Sequence, residues 1–376
     1  MESCDALIVG GGPAGSSCAW QLRRNGLDVI VMDKANFPRD KVCAGWVTPS
    51  VIEALQLDTD DYARRNVLQP ITAFRTGLID GEEVITRYPA PVSYGIRRCE
   101  LDNYLLQRTG VHLRLGEPLE SLQREGSQWI VNDNISTPLV VGAGGHFCPV
   151  ARFMGAKLGA TEPAIAAKEI EFEMSPAQLD DCKVRGDTPE LYFCPDLKGY
   201  GWCFRKGDYL NIGLGREDNH LLTEQLKDFC AFLKQRGRIP QDIPDSFHGH
   251  AYLLYGHAVR KQIDDGMMLV GDAAGLAYPQ SGEGIRPAVE SGLLAANTII
   301  EANGDYRRQQ LSPYANRLTA RFGTGTASGS AEPSSVRKFL AGILLGNKWF
   351  TRHVVLDRWF LHVHQAALRT AETLGA

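Results

Sequence analysis

The residues best suited to bind a charged ligand lie at the start of the chain. An apolar run leads directly into a turn with glycines at positions 10, 12 and 15, and a helical pattern follows. Glycines at this spacing allow a tight turn and a close approach to a pyrophosphate, whose charge the free N–H groups of the new helix stabilise. A second apolar run ends at Asp33, where a carboxylate can accept hydrogen bonds from ribose hydroxyls. The spacing predicts a dinucleotide site formed by Gly10, Gly12, Pro13, Ala14, Gly15, Asp33 and Lys34.

Two segments much later in the chain favour FAD as the dinucleotide. The sequence GDAAG, residues 271–275, follows an apolar strand and brings a carboxylate to where the ribitol of a flavin could be hydrogen-bonded. The segment 279–292 then begins a helix, and the N-terminus of that helix would stabilise the negative charge of a reduced flavin ring. The predicted contacts in these segments are Gly271, Asp272, Gly282, Gly284 and Ile285.

The elements that must position these residues alternate between two patterns. Residues 5–33 form a βαβ unit, whereas residues of about 70–97 and 164–260 alternate apolar and polar side chains, as antiparallel strands do. We therefore predict a mixed α/β (α+β) fold in which a Rossmann-like FAD-binding domain is interleaved with an antiparallel β-sheet substrate domain. The predicted FAD-binding domain comprises 1–70, 98–160 and 262–322, the substrate domain 71–97 and 161–261, and a C-terminal helical segment 336–376. The small polar residues 323–335 are predicted to be a linker.

The composition and charge of the chain argue against several classes of partner and site. The 376 residues are 44% hydrophobic and 22% charged, with a net charge of −4, so we expect no nucleic-acid partner. The chain enters its first strand without a leader and has no apolar run of about 20 residues, which predicts a cytoplasmic protein. Nine scattered cysteines without a CxxC pair indicate reduced thiols. His248 and His250 lack further ligands, so no metal site is predicted.

Three further segments carry a resemblance to a known family. Residues 140–152 are similar to the glycine-rich GADGxxSxxR segment of flavin hydroxylases, with Gly144 at its aspartate and Cys148 at its serine. Arg98 precedes Leu101-Asp102 as in the segment where an arginine meets FAD, and residues 41–45 match a KxCGG loop with alanine at its first glycine. Over about residues 1–320 the chain resembles the geranylgeranyl reductase family, within the para-hydroxybenzoate hydroxylase-type flavoproteins.

The resemblance implies roles for several side chains. It implies that Cys43 and Ala44 lie against the isoalloxazine beside Gly45, that Arg39 reaches toward the phosphates or the mouth of the active site, and that Arg98 contacts FAD. The segment PxxYxWxFP, which lines the family's hydrophobic substrate cavity, is matched by Tyr200, Trp202 and Phe204. Leu197 and Arg205 stand at its two prolines. The WxWxIP signature of flavin-dependent halogenases is absent.

The sequence leaves three functions open. In the first, which we favour, reduced FAD delivers hydride to a carbon–carbon double bond of an isoprenoid or other lipid, and a nearby acid supplies a proton. In the second, the protein is an NAD(P)H-dependent FAD monooxygenase that hydroxylates an aromatic or phenolic-lipid substrate, and in the third it is a non-catalytic flavin-binding scaffold. Cys43 is the candidate catalytic side chain, either as a proton donor or as a small packing residue.

Two partners follow from what the sequence contains. Only one dinucleotide fingerprint is found, so electrons are expected from transiently bound NAD(P)H or from a reduced carrier protein.

The window 337–369 is apolar with six Lys or Arg residues and one Asp. It could lie on a membrane surface, cap a hydrophobic cavity or simply pack on the FAD-binding domain. His362 and His364 are two residues apart on a presumed helix and are not expected to form a ligand pair.

Overall fold

The computed structural model describes residues 1–158, 162, 164–218, 221–256, 260–323 and 343–369. Its strands form sheets of six, seven, four and three strands. The strands are β1 Glu2–Ser3, β2 Ala6–Val9, β3 Val29–Asp33, β4 Trp46–Val47, β5 Leu68–Ile71, β6 Ala73–Leu78, β7 Glu83–Arg87, β8 Ser93–Ile96, β9 His112–Leu115, β10 Leu122–Glu125, β11 Gln128–Val131, β12 Ile135–Thr137, β13 Val140–Gly142, β14 Ile165–Glu173, β15 Glu190–Phe193, β16 Gly199–Lys206, β17 Tyr209–Arg216, β18 His248–Tyr252, β19 Ile263–Asp264 and β20 Met267–Leu269.

The helices are mostly short. They are α1 Pro13–Arg24, α2 Pro49–Ala54, α3 Thr59–Ala63, α4 Arg98–Gln107, α5 Pro149–Phe153, α6 Pro176–Asp181, α7 Leu222–Gln235, α8 Ile285–Ala302, α9 Arg308–Leu311, α10 Pro313–Phe322 and α11 Lys348–Phe350, with a 3-10 helix at Gly271–Ala274, a π-helix at Thr351–Phe360 and helical residues at 343–346. The helix predicted to begin within 279–292 starts at Ile285, and Gly284 is its N-cap. None of the helices in the described part of the chain is both long and apolar enough to cross a bilayer.

The six-stranded sheet places the phosphate-binding glycines. Its order is β19-β20-β13-β2-β3-β9, and all neighbours except β19 and β20 run parallel. The strands are buried apolar runs, as expected when helices cover both faces of a parallel sheet. Parallel strands end at one edge, so the turns after β2, β3, β13 and β20 meet there. Helices α1 and α8 pack against each other beside that edge.

The seven-stranded sheet forms the opposite side of the site. Its order is β18-β14-β17-β16-β15-β6-β7, antiparallel except where β15 pairs with β6. Helix α7 covers one face with an amphipathic pattern whose buried members include Leu226, Phe229 and Leu233. The other face carries Ala167, Trp202 and Tyr252 into the site. The mixed α/β class with an antiparallel second sheet is confirmed.

The C-terminal segment packs inward on the second sheet. Val355, Leu356 and Phe360 of the π-helix are fully buried in an apolar cluster that also contains Trp46 and Trp202. The buried side of the segment therefore packs behind Trp46 and Tyr200, which line the site. Of the predicted linker 323–335, all but residue 323 lies outside the described residues, as do 336–342 and 370–376 of the predicted C-terminal segment.

Candidate active site

One elongated cavity of about 620 Å³ runs between the two large sheets. At one end it is lined by the turns after β2 and β3, and at the other by aromatic side chains of β4, β16 and β18. A volume of this size is typical of a small-molecule or cofactor site. The residues that share it come from widely separated parts of the sequence, and the fold brings them together.

Gly10 and Gly12 have different structural roles at the cavity. Gly10 has a φ of +119°, and a Cβ there would lie 2.4 Å from the Ala143 carbonyl oxygen, so it holds the turn against β13. Gly12 has ordinary extended geometry and caps α1 without a side chain. The nearest atom to a Cβ at Gly12 would be Arg39 Nη2 at 3.5 Å. Gly12 therefore leaves room above the α1 N-terminus for a ligand.

Asp33 lies at the end of β3, at the same edge of the sheet. Its carboxylate accepts hydrogen bonds from the backbone N–H groups of Gly11, at 2.8 Å, and Ala35, at 2.9 Å. Asp33 thereby joins the glycine turn to the turn after β3, and it also lines the cavity beside Lys34. This position agrees with the predicted role of holding the ribose end of a dinucleotide.

A second helix N-terminus opens into the middle of the cavity. Gly282 has a φ of +67°, and Gly284 caps α8 without a side-chain hydrogen bond. Glu283 lines the cavity between them and accepts a hydrogen bond from the Arg286 backbone N–H at 2.7 Å. That bond satisfies one of the free N–H groups at the start of α8. Burial raises the pKa of Glu283 to about 7, so this carboxyl is poised to hold or release a proton near neutral pH.

These features form a cradle that fits FAD. The N-termini of α1 and α8 both open into one cavity, and neither N-cap glycine supplies a side chain to fill the space. Helix N-termini stabilise anions, which suits a pyrophosphate at α1 and the anionic edge of a reduced flavin at α8. The turn of the 3-10 helix places Asp272 between them, where a ribitol would pass.

A charged cluster surrounds Asp272. Lys41 Nζ lies 2.6 Å from His250 Nε2, which is 3.6 Å from Asp272 Oδ2. Burial lowers the pKa of Lys41 to about 8 and also lowers that of His250. Burial alone would raise the pKa of Asp272, but His250, Lys41 and Arg98 outweigh it and hold that pKa below its usual value. The cluster therefore presents a carboxylate with cationic neighbours to the cavity.

His250 lines the cavity, although the sequence analysis considered it only as a possible metal ligand. It reaches the site because β18 pairs with β14, opposite Ala167. Neither β14 nor β18 carries a sequence motif that predicts this pairing. Alternation along β18, which brings His250 and Tyr252 to the cavity face and turns the intervening residue away, was the only available signal.

Two arginines share one buried carboxylate beside the cavity. Arg98 Nε and Nη2 each donate to Asp102 at 2.9 Å, and Arg39 Nη2 lies 3.4 Å from the same carboxylate. Burial would lower the pKa of Arg98, but Asp102 and a hydrogen bond to the Cys43 thiol hold it above its ordinary value. Two cations against one anion leave a positive excess toward the cavity, which suits a phosphate-bearing cofactor.

The Cys43 loop forms the wall between the charged cluster and the aromatic end. Cys43, Ala44 and Gly45 all line the cavity. The Gly45 N–H donates to Cys43 Sγ at 3.4 Å, and Gly45 has a φ of +70°. Cys43 is partly exposed and carries a free thiol.

The far end of the cavity is aromatic. Trp46, Tyr200, Trp202 and Tyr252 line it, and Tyr200 Oη donates to the Ser281 carbonyl oxygen at 2.5 Å. Phe204, which we expected to line the cavity, does not: it is 1% exposed and stacks on Trp46 with ring centroids 5.0 Å apart.

The turn before β16 explains the departure at Leu197. Leu197 has a φ of +63°, which proline cannot adopt, so this turn differs from one built on a proline. Trp202 nonetheless keeps its place because its Nε1 donates to Asn211 Oδ1 at 2.7 Å.

Most of the predicted site residues meet in the one cavity. Gly15 and Gly271, like Phe204, stand behind its wall; a Cβ at Gly15 would collide with the Gly10 carbonyl oxygen, and one at Gly271 would press on Ala14. The predicted residues that line the cavity are Gly10, Gly12, Pro13, Ala14, Asp33, Lys34, Arg39, Cys43, Ala44, Gly45, Arg98, Asp272, Gly282, Gly284, Ile285, Tyr200 and Trp202.

Comparison with known proteins identifies the family and the fold of this chain. A family model described as an FAD binding domain matches residues 3–322. The chain is 28% identical over 329 residues to the digeranylgeranylglycerophospholipid reductase of Methanocaldococcus jannaschii, covering 83% of this chain and 81% of that protein. It is 32% identical over 325 residues to the menaquinone reductase of Mycobacterium tuberculosis, covering 79% and 77%. The structure of a geranylgeranyl bacteriochlorophyll reductase-like protein from Thermoplasma acidophilum is similar with a TM-score of 0.72 at 23% identity, covering 100% of this chain and 95% of that one.

The fold and the site thus define an FAD-dependent oxidoreductase. The chain belongs to the FAD-binding-domain family, and its resemblance to the geranylgeranyl reductases is confirmed by the relatives that it matches. FAD is therefore the cofactor, and we propose that the cradle between α1 and α8 holds it.

Proposed function

We propose that this protein reduces a carbon–carbon double bond of an isoprenoid or similar lipid. The observation that carries the proposal is the aromatic end of the cavity, which continues directly from the FAD cradle and is walled by Trp46, Tyr200, Trp202 and Tyr252. An apolar chain binds such a wall through the hydrophobic effect, without needing fixed polar partners. The names of the matched relatives, which include a digeranylgeranylglycerophospholipid reductase, support the same substrate class.

Reduction of a double bond adds one hydride and one proton. The hydride is the chemistry that bound, reduced FAD supplies. The protein must supply the proton, and two acids of the chamber are suited to this: the Cys43 thiol and the Glu283 carboxyl, whose pKa of about 7 keeps a large share protonated at neutral pH. Both side chains line the same cavity as Tyr200 and Tyr252.

The proposal is tested by the product formed under anaerobic conditions. Enzyme reduced with dithionite is mixed with a geranylgeranyl-bearing glycerolipid in detergent, and the lipid is analysed by mass spectrometry. Reduction adds two hydrogen atoms per double bond and returns the flavin to its oxidised spectrum. Addition of an oxygen atom to a phenolic compound in air, with no change in the prenyl lipid, would instead establish the hydroxylase alternative. A flavin that no donor reduces would establish the scaffold alternative.

The electron donor is proposed to bind only transiently. The described part of the chain has one glycine fingerprint of the dinucleotide type, and it serves the FAD cradle. NAD(P)H or a reduced carrier protein would therefore donate electrons and leave. Rapid mixing of the oxidised enzyme with NADPH, and separately with a reduced ferredoxin, distinguishes the two by which one bleaches the flavin.

The C-terminal segment is proposed to touch the membrane that holds such a lipid. Its inner side packs against the aromatic chamber, while Ile343, Leu344 and Trp349 expose between 43% and 66% of their surface. The neighbouring Lys348 and Arg352 are cationic, and their charge favours an anionic lipid surface. Binding to vesicles of anionic lipid, lost in Trp349→Ala and in high salt, is the expected result. Equal binding of wild type and variant would reject this contact.

A further inference from the structure

The backbone of Cys43 is held from behind by two side chains of the second sheet. Its N–H donates to Glu169 Oε1 at 2.7 Å, and its carbonyl oxygen accepts from Asn211 Nδ2 at 3.2 Å. Glu169 is on β14 and Asn211 on the neighbouring strand β17. Both polar groups of the Cys43 backbone are thus satisfied by side chains that do not line the cavity.

The side-chain amide of Asn211 also binds Trp202, on the aromatic side of the chamber. Asn211 Oδ1 accepts from Trp202 Nε1 at 2.7 Å, while Asn211 Nδ2 donates to the Cys43 carbonyl. One fully buried carboxamide therefore links the loop predicted to face the flavin to the tryptophan predicted to face the substrate. The carboxamide group has a donor end and an acceptor end, and this link uses both.

Charged neighbours fix the orientation of this amide. Asn211 Nδ2 lies 3.3 Å from Glu169 Oε2 and 3.1 Å from Glu171 Oε2, so its donor end faces two carboxyl groups. Lys206 Nζ, fully buried, donates to Glu171 at 2.8 Å and balances one of those charges. Burial raises the pKa of Glu169 to about 7. Two acceptors beside Nδ2 make the flipped amide unfavourable, which keeps Oδ1 turned toward Trp202.

We propose that Glu169 and Asn211 are positioning residues, and that together they lock the Cys43 loop to Trp202 so that the two walls of the chamber keep a fixed separation. The chamber's role as a lipid-reduction site rests on the proposed function, but the lock itself does not. A fixed separation holds a substrate chain at one depth relative to the flavin-side wall, and small errors of depth are costly in catalysis. The lock acts through Cys43 and Trp202 and touches neither substrate nor cofactor.

The test measures how accessible the Cys43 thiol is. Cys43 and Cys99 are the two partly exposed cysteines, and the other seven are buried, so Cys99 serves as an internal reference. Holoenzyme is alkylated with iodoacetamide, and the ratio of the two rates is read by mass spectrometry. Asn211→Leu keeps the approximate volume and removes every hydrogen bond, and Glu169→Leu removes the acceptor for the Cys43 N–H. Glu169→Gln keeps one acceptor and serves as the conservative variant.

Glu190 provides a matched control. It is fully buried on β15 of the same sheet and is held by Arg238 and Tyr192, but it does not touch the Cys43 loop or line the cavity. Glu190→Leu should destabilise the protein about as much as Glu169→Leu does, because the first removes the acceptor of Arg238 Nε and the second that of the Cys43 N–H. It should leave the alkylation ratio unchanged.

We expect Asn211→Leu and Glu169→Leu to raise the ratio of Cys43 to Cys99 alkylation about tenfold, with Glu169→Gln close to wild type. Where a prenyl lipid is reduced, KM for that lipid should rise by a similar factor with a smaller change in kcat. Should a leucine variant fail to fold, Asn211→Ser removes the same bonds more gently. An unchanged ratio in folded Asn211 variants, or an equal rise in Glu190→Leu, would overturn the lock. Failure of the lipid assay alone would reject the proposed function and leave the thiol ratio informative.

Discussion

Replacing Gly12 by alanine should separate cofactor binding from folding. Gly12 has φ −73° and ψ −175°, which any residue adopts, and its Cβ would meet nothing closer than Arg39 Nη2 at 3.5 Å. The free energy of unfolding should therefore change by no more than about 0.5 kcal/mol. The new methyl group would occupy the space above the α1 N-terminus, so at least one charge-assisted hydrogen bond to a pyrophosphate would be lost. Such a bond contributes about 1.5–3 kcal/mol, which corresponds to a roughly 10- to 150-fold weaker FAD affinity.

Gly10→Ala is the matched control in the same turn. Alanine there would take a φ of +119° with its Cβ 2.4 Å from a backbone carbonyl, at a cost of roughly 2–4 kcal/mol in stability. FAD affinity is measured by quenching of flavin fluorescence, and stability of the apoprotein by urea unfolding. Gly12→Ala should bind FAD more weakly and keep the wild-type midpoint of urea unfolding. Gly10→Ala should unfold at a lower urea concentration than wild type. FAD binding by Gly12→Ala at wild-type strength would refute the cradle.

Three other changes test the rest of the site. Asp272→Asn removes the carboxylate that the cationic cluster surrounds, and we expect about tenfold weaker FAD binding in fluorescence titration, with the fold intact by circular dichroism. Burial raises the pKa of Glu283 from 4.5 to about 7, so the folded state binds this proton more tightly and stability should fall by at most about 3 kcal/mol as pH rises from 4.5 through 7. Glu169 has a similarly raised pKa and contributes in the same pH range, so Glu283→Gln should make the profile of unfolding free energy against pH shallower there without flattening it, and an unaltered profile would contradict the shift. Phe360→Ala should cost about 3–5 kcal/mol in urea unfolding and loosen the chamber beside Tyr200, whereas Trp349→Ala, at an exposed site, should leave stability within about 0.5 kcal/mol.

Local patterns predicted the cofactor end of the site well. The turn after β2, the acid at the end of β3 and the turn after β20 each follow an apolar strand, and parallel strands must end at one edge. Each of these features can therefore be placed from its own neighbourhood in the sequence. Gly12, Asp33 and Asp272, which line one cavity in the structure, can therefore be grouped from sequence alone.

Residues that depend on strand pairing were harder to place. His250, Glu169 and Asn211 reach the site only through the registers among β14, β17 and β18, which no short motif encodes. Phe204, in contrast, was predicted to line the cavity but does not. It shares a face of β16 with Trp202, but the strand carries it past the cavity and behind Trp46.

For the C-terminal segment, the sequence predicted the kind of element but not how it packs. Its composition indicated an apolar, basic element but could not say which side was buried. The structure shows that Leu356 and Phe360 are buried in the cluster that contains Trp46 and Tyr200. These partners lie more than 150 positions earlier in the chain, so no local pattern could identify the buried side. The histidines 362 and 364 follow the π-helix rather than belonging to a helix.

The central claim is that FAD lies stretched along the cavity between α1 and the aromatic chamber. A crystal structure of the protein with FAD tests this most directly. We predict density for the pyrophosphate above Gly12 and Pro13, the ribitol beside Asp272, and the ring between the Cys43 loop and the N-terminus of α8. A ring placed outside this cavity, or a cavity filled by the protein's own side chains in the presence of saturating FAD, would contradict it.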